Sequence, residues 1–159
     1  MRTSVDVHNY LIERDVPHEV FSARGRIRTP EVMAAVLDLD ADEVGRVVVF
    51  EGPAGPVAAV VPSRDEPDPK RLSRAAGQSS LEQADDDRAS ELTGYLHESI
   101  PPAGLPEEFQ VVMDESLNRD AVLYFPGGEP RAVLKIRGTD LARATTAKLA
   151  PIAFRWPGE

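Results

Sequence analysis

Two apolar runs separated by turn residues constrain this chain more than any other feature. Val47, Val48, Val49 and Phe50 form an unbroken β-branched and aromatic stretch, residues 51–56 carry Gly52, Pro53, Gly55 and Pro56, and residues 57–61 resume as Val-Ala-Ala-Val-Val. Branching at Cβ crowds a helix but suits a pleated surface, so the two runs predict a hairpin. Neither run alternates with polar residues, which places the hairpin at the centre of a sheet rather than at its edge.

Helix signals flank the hairpin. Residues 4–14 place Val7, Leu11 and Arg14 at helical spacing beside Tyr10, with Ser4 as the expected N-cap. An extended segment follows at 16–21, then a polar loop at 22–28 holding Arg24, Arg26 and Arg28 around Gly25. Thr29 caps a second helix with Pro30 in its first turn, and Val32, Met33, Val36 and Leu37 supply a buried face. Asp68 and Pro69 open a third helix that stops at Gly77, and residues 85–93 form a fourth that ends at Gly94. Asp85, Asp86 and Asp87 read as a solvated helix start, because consecutive side chains on a helix diverge and the carboxylates complement its dipole.

Pro101, Pro102, Gly104 and Pro106 make residues 95–106 a loop of fixed shape. Strands are predicted at 109–113, 121–125 and 131–136, with Pro126, Gly127 and Gly128 turning between the last two. Thr139 is the expected cap of a helix through 147, and residues 150–154 read as a closing strand. Strands and helices interleave irregularly, so the expected class is α/β in the mixed α+β sense, not a doubly wound sheet. A chain of 159 residues is expected to bury one core, giving one domain over 1–159.

Several function classes lose their physical basis. The formal charge of −9 opposes a broad grip on nucleic-acid backbone, which excludes a duplex DNA binder. A few local arginines still suffice to hold the tip of an RNA strand, and of 18 basic residues only Lys70, Lys135 and Lys148 are lysine. There is no cysteine, and His8, His18 and His97 show no metal-ligand spacing, so neither metal nor cofactor is expected. No G-x-S-x-G elbow, P-loop or dinucleotide fingerprint occurs. Residues 1–10 contain no long apolar run, so the expectation is a cytoplasmic protein without a signal peptide or membrane span.

Several phrases together resemble the YbaK-like family, which includes free-standing aminoacyl-tRNA deacylases and the editing domain of some prolyl-tRNA synthetases. They are residues 29–37, Arg46-Val47-Val48-Val49, Thr93-Gly94-Tyr95 through Pro102 and Gly104, Asp114-Glu115-Ser116 within 112–117, and Asp140-Leu141. The resemblance covers nearly the whole chain and implies a central mixed, partly barrel-like β-sheet flanked by helices. It also implies a cleft for the 3′ end of aminoacyl-tRNA, metal-independent hydrolysis of the aminoacyl ester, and an aminoacyl-tRNA synthetase as a further candidate partner.

Carried over residue by residue, the resemblance makes Arg46, Glu98 and Ser99 the candidate catalytic positions. Gly94, Ile100, Pro101, Pro102, Gly127 and Gly128 become candidate substrate-binding positions. Five positions depart from the family pattern. Arg46 replaces a lysine, exchanging a compact ammonium for a planar fork. Glu98 and Ser99 stand where a glycine pair is usual, and a glutamate in the left-handed geometry open to glycine would cost on the order of 1–2 kcal/mol. Ala23 and Pro126 replace residues that could donate a hydrogen bond. The expected function is trans-editing of mischarged tRNA, with a catalytically silent binding module or partner subunit as the alternative.

Overall fold

The structure is a computed structural model that describes residues 1–155. In chain order the elements are α1 (Ser4–Glu13), β1 (Glu19–Ser22), α2 (Pro30–Leu37), β2 (Gly45–Gly52), β3 (Gly55–Pro62), β4 (Asp65–Pro67), α3 (Pro69–Ala76) and β5 (Glu82–Gln83). There follow α4 (Asp86–Thr93), β6 (Gln110–Asp114), β7 (Val122–Pro126), β8 (Ala132–Arg137), α5 (Gly138–Thr145), β9 (Lys148–Ala150) and β10 (Ala153–Arg155). No helix among the described residues is long and apolar enough to cross a membrane.

The predicted hairpin is central. β2 and β3 pair antiparallel from Gly45 opposite Pro62 to Gly52 opposite Gly55, inside a sheet ordered β5-β2-β3-β6-β9. β3 pairs parallel with β6, and β6 with β9, so the sheet is mixed. A second, antiparallel sheet runs β1-β8-β7, and β10 pairs with β4. The two larger sheets meet where Val44 bridges Tyr124, which curls the assembly into a partly barrel-like form.

Apolar groups fill both faces of the hairpin. Val49 and Val60 join Val7, Leu11, Tyr95, Phe125 and Leu141 in one core, while Val48, Phe50, Val57 and Ala59 pack with Leu72 and Ile152 in another. A third cluster of Ala23, Ile27, Met33, Val44 and Val133 lies beneath α2. Gly45 follows the bridge, and a Cβ there would fall 2.8 Å from Cδ1 of the buried Phe125 ring, closer than atoms tolerate.

Three sequence expectations need correction, the first because the neighbouring residue supplies the cap and the other two because distant groups hold the chain. The N-cap of α1 is Thr3, not Ser4: Thr3 forms a capping box with Asp6, while the Ser4 amide donates to Glu129 Oε2 at 2.9 Å and its hydroxyl donates to the same oxygen. Thr139 does not cap α5 but lies inside it. The amides of Gly138 and Thr139 donate to the carbonyls of Ala121 and Arg119, so the helix start is satisfied by backbone.

Residues 150–154 do not form one strand. The chain passes from β9 to β10 through Pro151, and the buried Asp114 holds the crossing by accepting from the amides of Ile152 and Ala153 at 3.0 Å each. The expected caps at Thr29, Asp68 and Asp85 are all present, with αL Gly77 and Gly94 ending their helices.

Two outcomes follow for stability. Gly45→Ala should destabilise the chain by about 2 kcal/mol in urea unfolding, since the methyl must displace a buried aromatic ring; an unchanged midpoint would show that the ring yields freely. The Ser4 contacts hold the Glu129 carboxyl below the usual carboxylate range. A carboxylate with a depressed folded pKa stabilises above its unfolded value and loses that contribution as pH falls through the folded one. The melting temperature of the parent should therefore exceed that of Glu129→Gln near neutrality, and the gap should close as pH drops below about 4.

Candidate functional site

A cleft of about 170 Å³ opens at the seam between the two larger sheets. Its walls are apolar, from Ile27, Pro30, Met33, Val47, Ile100 and Pro126, and its polar residues are Arg28, Thr29, Arg46, His97 and Glu98. Each group is placed by local structure. Thr29 accepts from the Val32 amide and starts α2, which puts Pro30 and Met33 on one wall. The preceding loop is clamped by Arg131, whose guanidinium donates to the carbonyls of Ala23 and Arg24, while the Ile27 amide donates to Pro130. The clamp uses backbone only, so the side chains of Arg24 and Arg28 remain without hydrogen bond or ion partner among the described residues.

Arg46 lies at the start of β2, and its Nη2 donates to the Asp65 carbonyl at 2.8 Å and meets Glu66 Oε2 at 3.0 Å. The carbonyl fixes the fork, whereas Glu66 is 59% exposed and its pairing is screened and readily exchanged. Glu98 sits in a 3-10 turn, His97–Ser99, with no positive φ. The left-handed strain expected for a glutamate at this position is therefore absent. The loop places its positive φ values at Gly94 (81°) and Gly104 (79°), either side of the turn. Arg26 donates to Glu98 Oε1 from Nε at 2.7 Å and also from Nη2, pairing a loop arginine with a carboxylate of the cleft wall.

Of the nine positions singled out in the sequence, Arg46, Glu98 and Ile100 line this cleft. Ser99 is buried behind it, its hydroxyl without a hydrogen-bond partner and its carbonyl accepting from the Gly128 amide at 3.0 Å. Gly128 thus braces the loop, and Gly127, whose amide donates to the Ala132 carbonyl, belongs to the turn between β7 and β8; neither lines the cavity. Gly94 ends α4 and accepts from the Arg2 amide. Pro101 and Pro102 are buried, and Pro102 lines a different hollow of about 210 Å³ with Tyr10, Gly104 and Thr146. Ala23 packs in the core under α2, while Pro126 is part of the cleft wall.

Sequence reasoning missed Arg28, Thr29 and His97 as residues of the cleft, and Arg26 as the partner of Glu98. The available signal was three arginines in a short loop of an acidic chain, directly before a helix start. His8 and His18 meet on the surface, Nδ1 to Nε2 at 2.9 Å, and neither lines the cleft. No group of three or more potential metal ligands is gathered among the described residues.

The architecture and the cleft can be set beside known proteins. A crystal structure of a hypothetical protein superposes with a TM-score of 0.87 at 26% identity, covering 94% of this chain and 99% of that one. The crystal structure of "a putative trans-editing enzyme for prolyl tRNA synthetase" gives 0.82 at 24% identity, covering 95% and 96%. In sequence, the "Putative Cys-tRNA(Pro)/Cys-tRNA(Cys) deacylase EbsC" of Enterococcus faecalis is 26% identical over 125 residues, 73% of this chain and 76% of that protein. The family model of the aminoacyl-tRNA editing domain matches residues 25–144, a span that contains Arg26 and Arg28 of the arginine loop, the hairpin and the proline loop. By this match the chain belongs to the aminoacyl-tRNA editing domain family.

Proposed function

We propose that this chain acts in trans on mischarged tRNA, taking the 3′ end into the cleft between Arg46 and Glu98 and hydrolysing the aminoacyl ester. The observation that carries the reading is the charge pattern at the cleft. In a chain of net charge −9, Arg28 lines a small cavity with apolar walls and has no carboxylate partner among the described residues, and Arg24, in the loop that leads to it, has none either. Exposed arginines suit the phosphates of a single-stranded RNA end, and the apolar walls suit one small side chain.

Water attacks the ester carbonyl, the ribose oxygen leaves, and the products are free amino acid and tRNA with its terminal hydroxyl restored. Ile100 lines the cavity and its amide donates no hydrogen bond among the described residues, so it is free to stabilise the developing oxyanion. Arg46, its fork held by the Asp65 carbonyl, exchanges Glu66 for the terminal phosphate or the aminoacyl group and fixes the ester against that amide. Given the size of the cavity and the name of the Enterococcus relative, cysteine attached to tRNA(Pro) is the first substrate to try. A prolyl-tRNA synthetase is the partner suggested by the structural neighbour. Such a reaction belongs in the cytoplasm.

A binding module that keeps the fold without the chemistry is the second reading. It is favoured by the ion pairs that already occupy Arg46 and Glu98. Hydrolysis of a panel of mischarged tRNAs, corrected for spontaneous loss, separates the two. Release by the parent should fall about 10- to 100-fold in Arg46→Ala, the worth of a charge-assisted contact, and recover in part in Arg46→Lys. No enzyme-dependent release from any member of the panel would leave the binding module as the better account.

A further inference from the structure

The Glu98 carboxylate is only half engaged. Both donors of Arg26 converge on Oε1, and Oε2 accepts no hydrogen bond among the described residues. The side chain is 10% exposed, yet Oε2 is not fully enclosed, so a sheltered oxygen without a protein partner keeps an opening through which a ligand can reach it. A sheltered carboxylate oxygen of this kind gains from a second cationic donor. The remaining charged groups of the cavity itself, Arg28 and Arg46, carry the opposite sign and are more exposed. Charge therefore runs from a sheltered carboxylate to open guanidinium groups across a small apolar space.

An aminoacyl ester at an RNA end has the matching order: an α-ammonium, then the ester and ribose, then a phosphate. We propose that Glu98 Oε2 binds the free α-ammonium of the aminoacyl group, so that the site takes aminoacyl esters and rejects those whose amine is acylated. The inference rests on the proposed deacylase reading of the cleft and deepens it. Arg26 is a positioning residue here. By saturating Oε1 it leaves Oε2 as the oxygen open to the substrate. A purely structural Arg26–Glu98 pair would instead make the two residues interchangeable in their effects.

The test uses two non-hydrolysable adenosines, one with L-alanine in amide linkage at the 3′ position and one with isosteric L-lactate, in which hydroxyl replaces ammonium. Their affinities for the parent, Glu98→Gln and Arg26→Ala are measured by calorimetry. The parent should prefer the alanyl compound by about tenfold or more, as a charge-assisted hydrogen bond implies. Arg26→Ala, which releases Oε1 but keeps the carboxylate, should lower that preference only in part, and Glu98→Gln, which preserves shape, should bring it close to unity. Equal binding of both compounds by the parent, or an undiminished preference in Glu98→Gln, would overturn the inference while leaving the deacylase reading intact. Loss of preference in both variants alike would show a structural pair. Failure of the parent to bind either compound would remove the underlying reading as well.

Discussion

Gly45 lies against the ring of Phe125, and much of the molecule follows from that contact. It lets β2 approach β7 closely enough for Val44 to bridge Tyr124, which joins the two larger sheets. The join leaves a wedge of space at the start of β2, bounded by α2 on one side and by Ile100 and the His97–Ser99 turn on the other. The next residue after Gly45 is Arg46. The constraint that closes the fold thus also sets the place at which a cation is presented to the cleft.

Around that seam, backbone is braced so that side chains are left free. Arg131 holds the arginine loop through the carbonyls of Ala23 and Arg24, the Gly128 amide holds the Ser99 carbonyl, and the Asp65 carbonyl holds the fork of Arg46. Each contact fixes position without neutralising a charge. The charges at and near the cleft are then distributed among the exchangeable pair of Arg46 with Glu66, the sheltered pair of Arg26 with Glu98, and Arg24 and Arg28, which have no partner among the described residues. A preorganised frame with exchangeable charge can bind an anionic RNA end even in a chain with net charge −9.

The parts of this structure that were legible in the sequence are those decided within a few residues. The uniform Val-rich runs gave the central hairpin, and Thr29-Pro30, Asp68-Pro69 with Gly77, and Asp85 with Gly94 marked helix ends by their own chemistry. Most of what was misread depends on distant partners, Arg119 and Ala121 at the start of α5 and Asp114 at the break between β9 and β10, while the cap of α1 was misplaced by one residue, Thr3 capping with Asp6 and Ser4 turning to Glu129. The cleft divides in the same way. Arg46 and Ile100 were found through the order of phrases along the chain, whereas the partnership of Glu98 with Arg26, 72 residues away, has no local signature. The same long-range contact explains why a glutamate is tolerated in the loop, since it sits in a 3-10 turn and not in the conformation reserved for glycine.

The location of the site is tested most directly by an amide NMR titration with a non-hydrolysable 3′-aminoacyl-adenosine. If the aminoacyl end enters the cleft, the amides of Ile27, Arg28, Val47, Glu98 and Ile100 should shift together and saturate with one affinity. Shifts centred instead on Tyr10, Gly104 and Thr146, around the hollow on the other side of the proline loop, would contradict it.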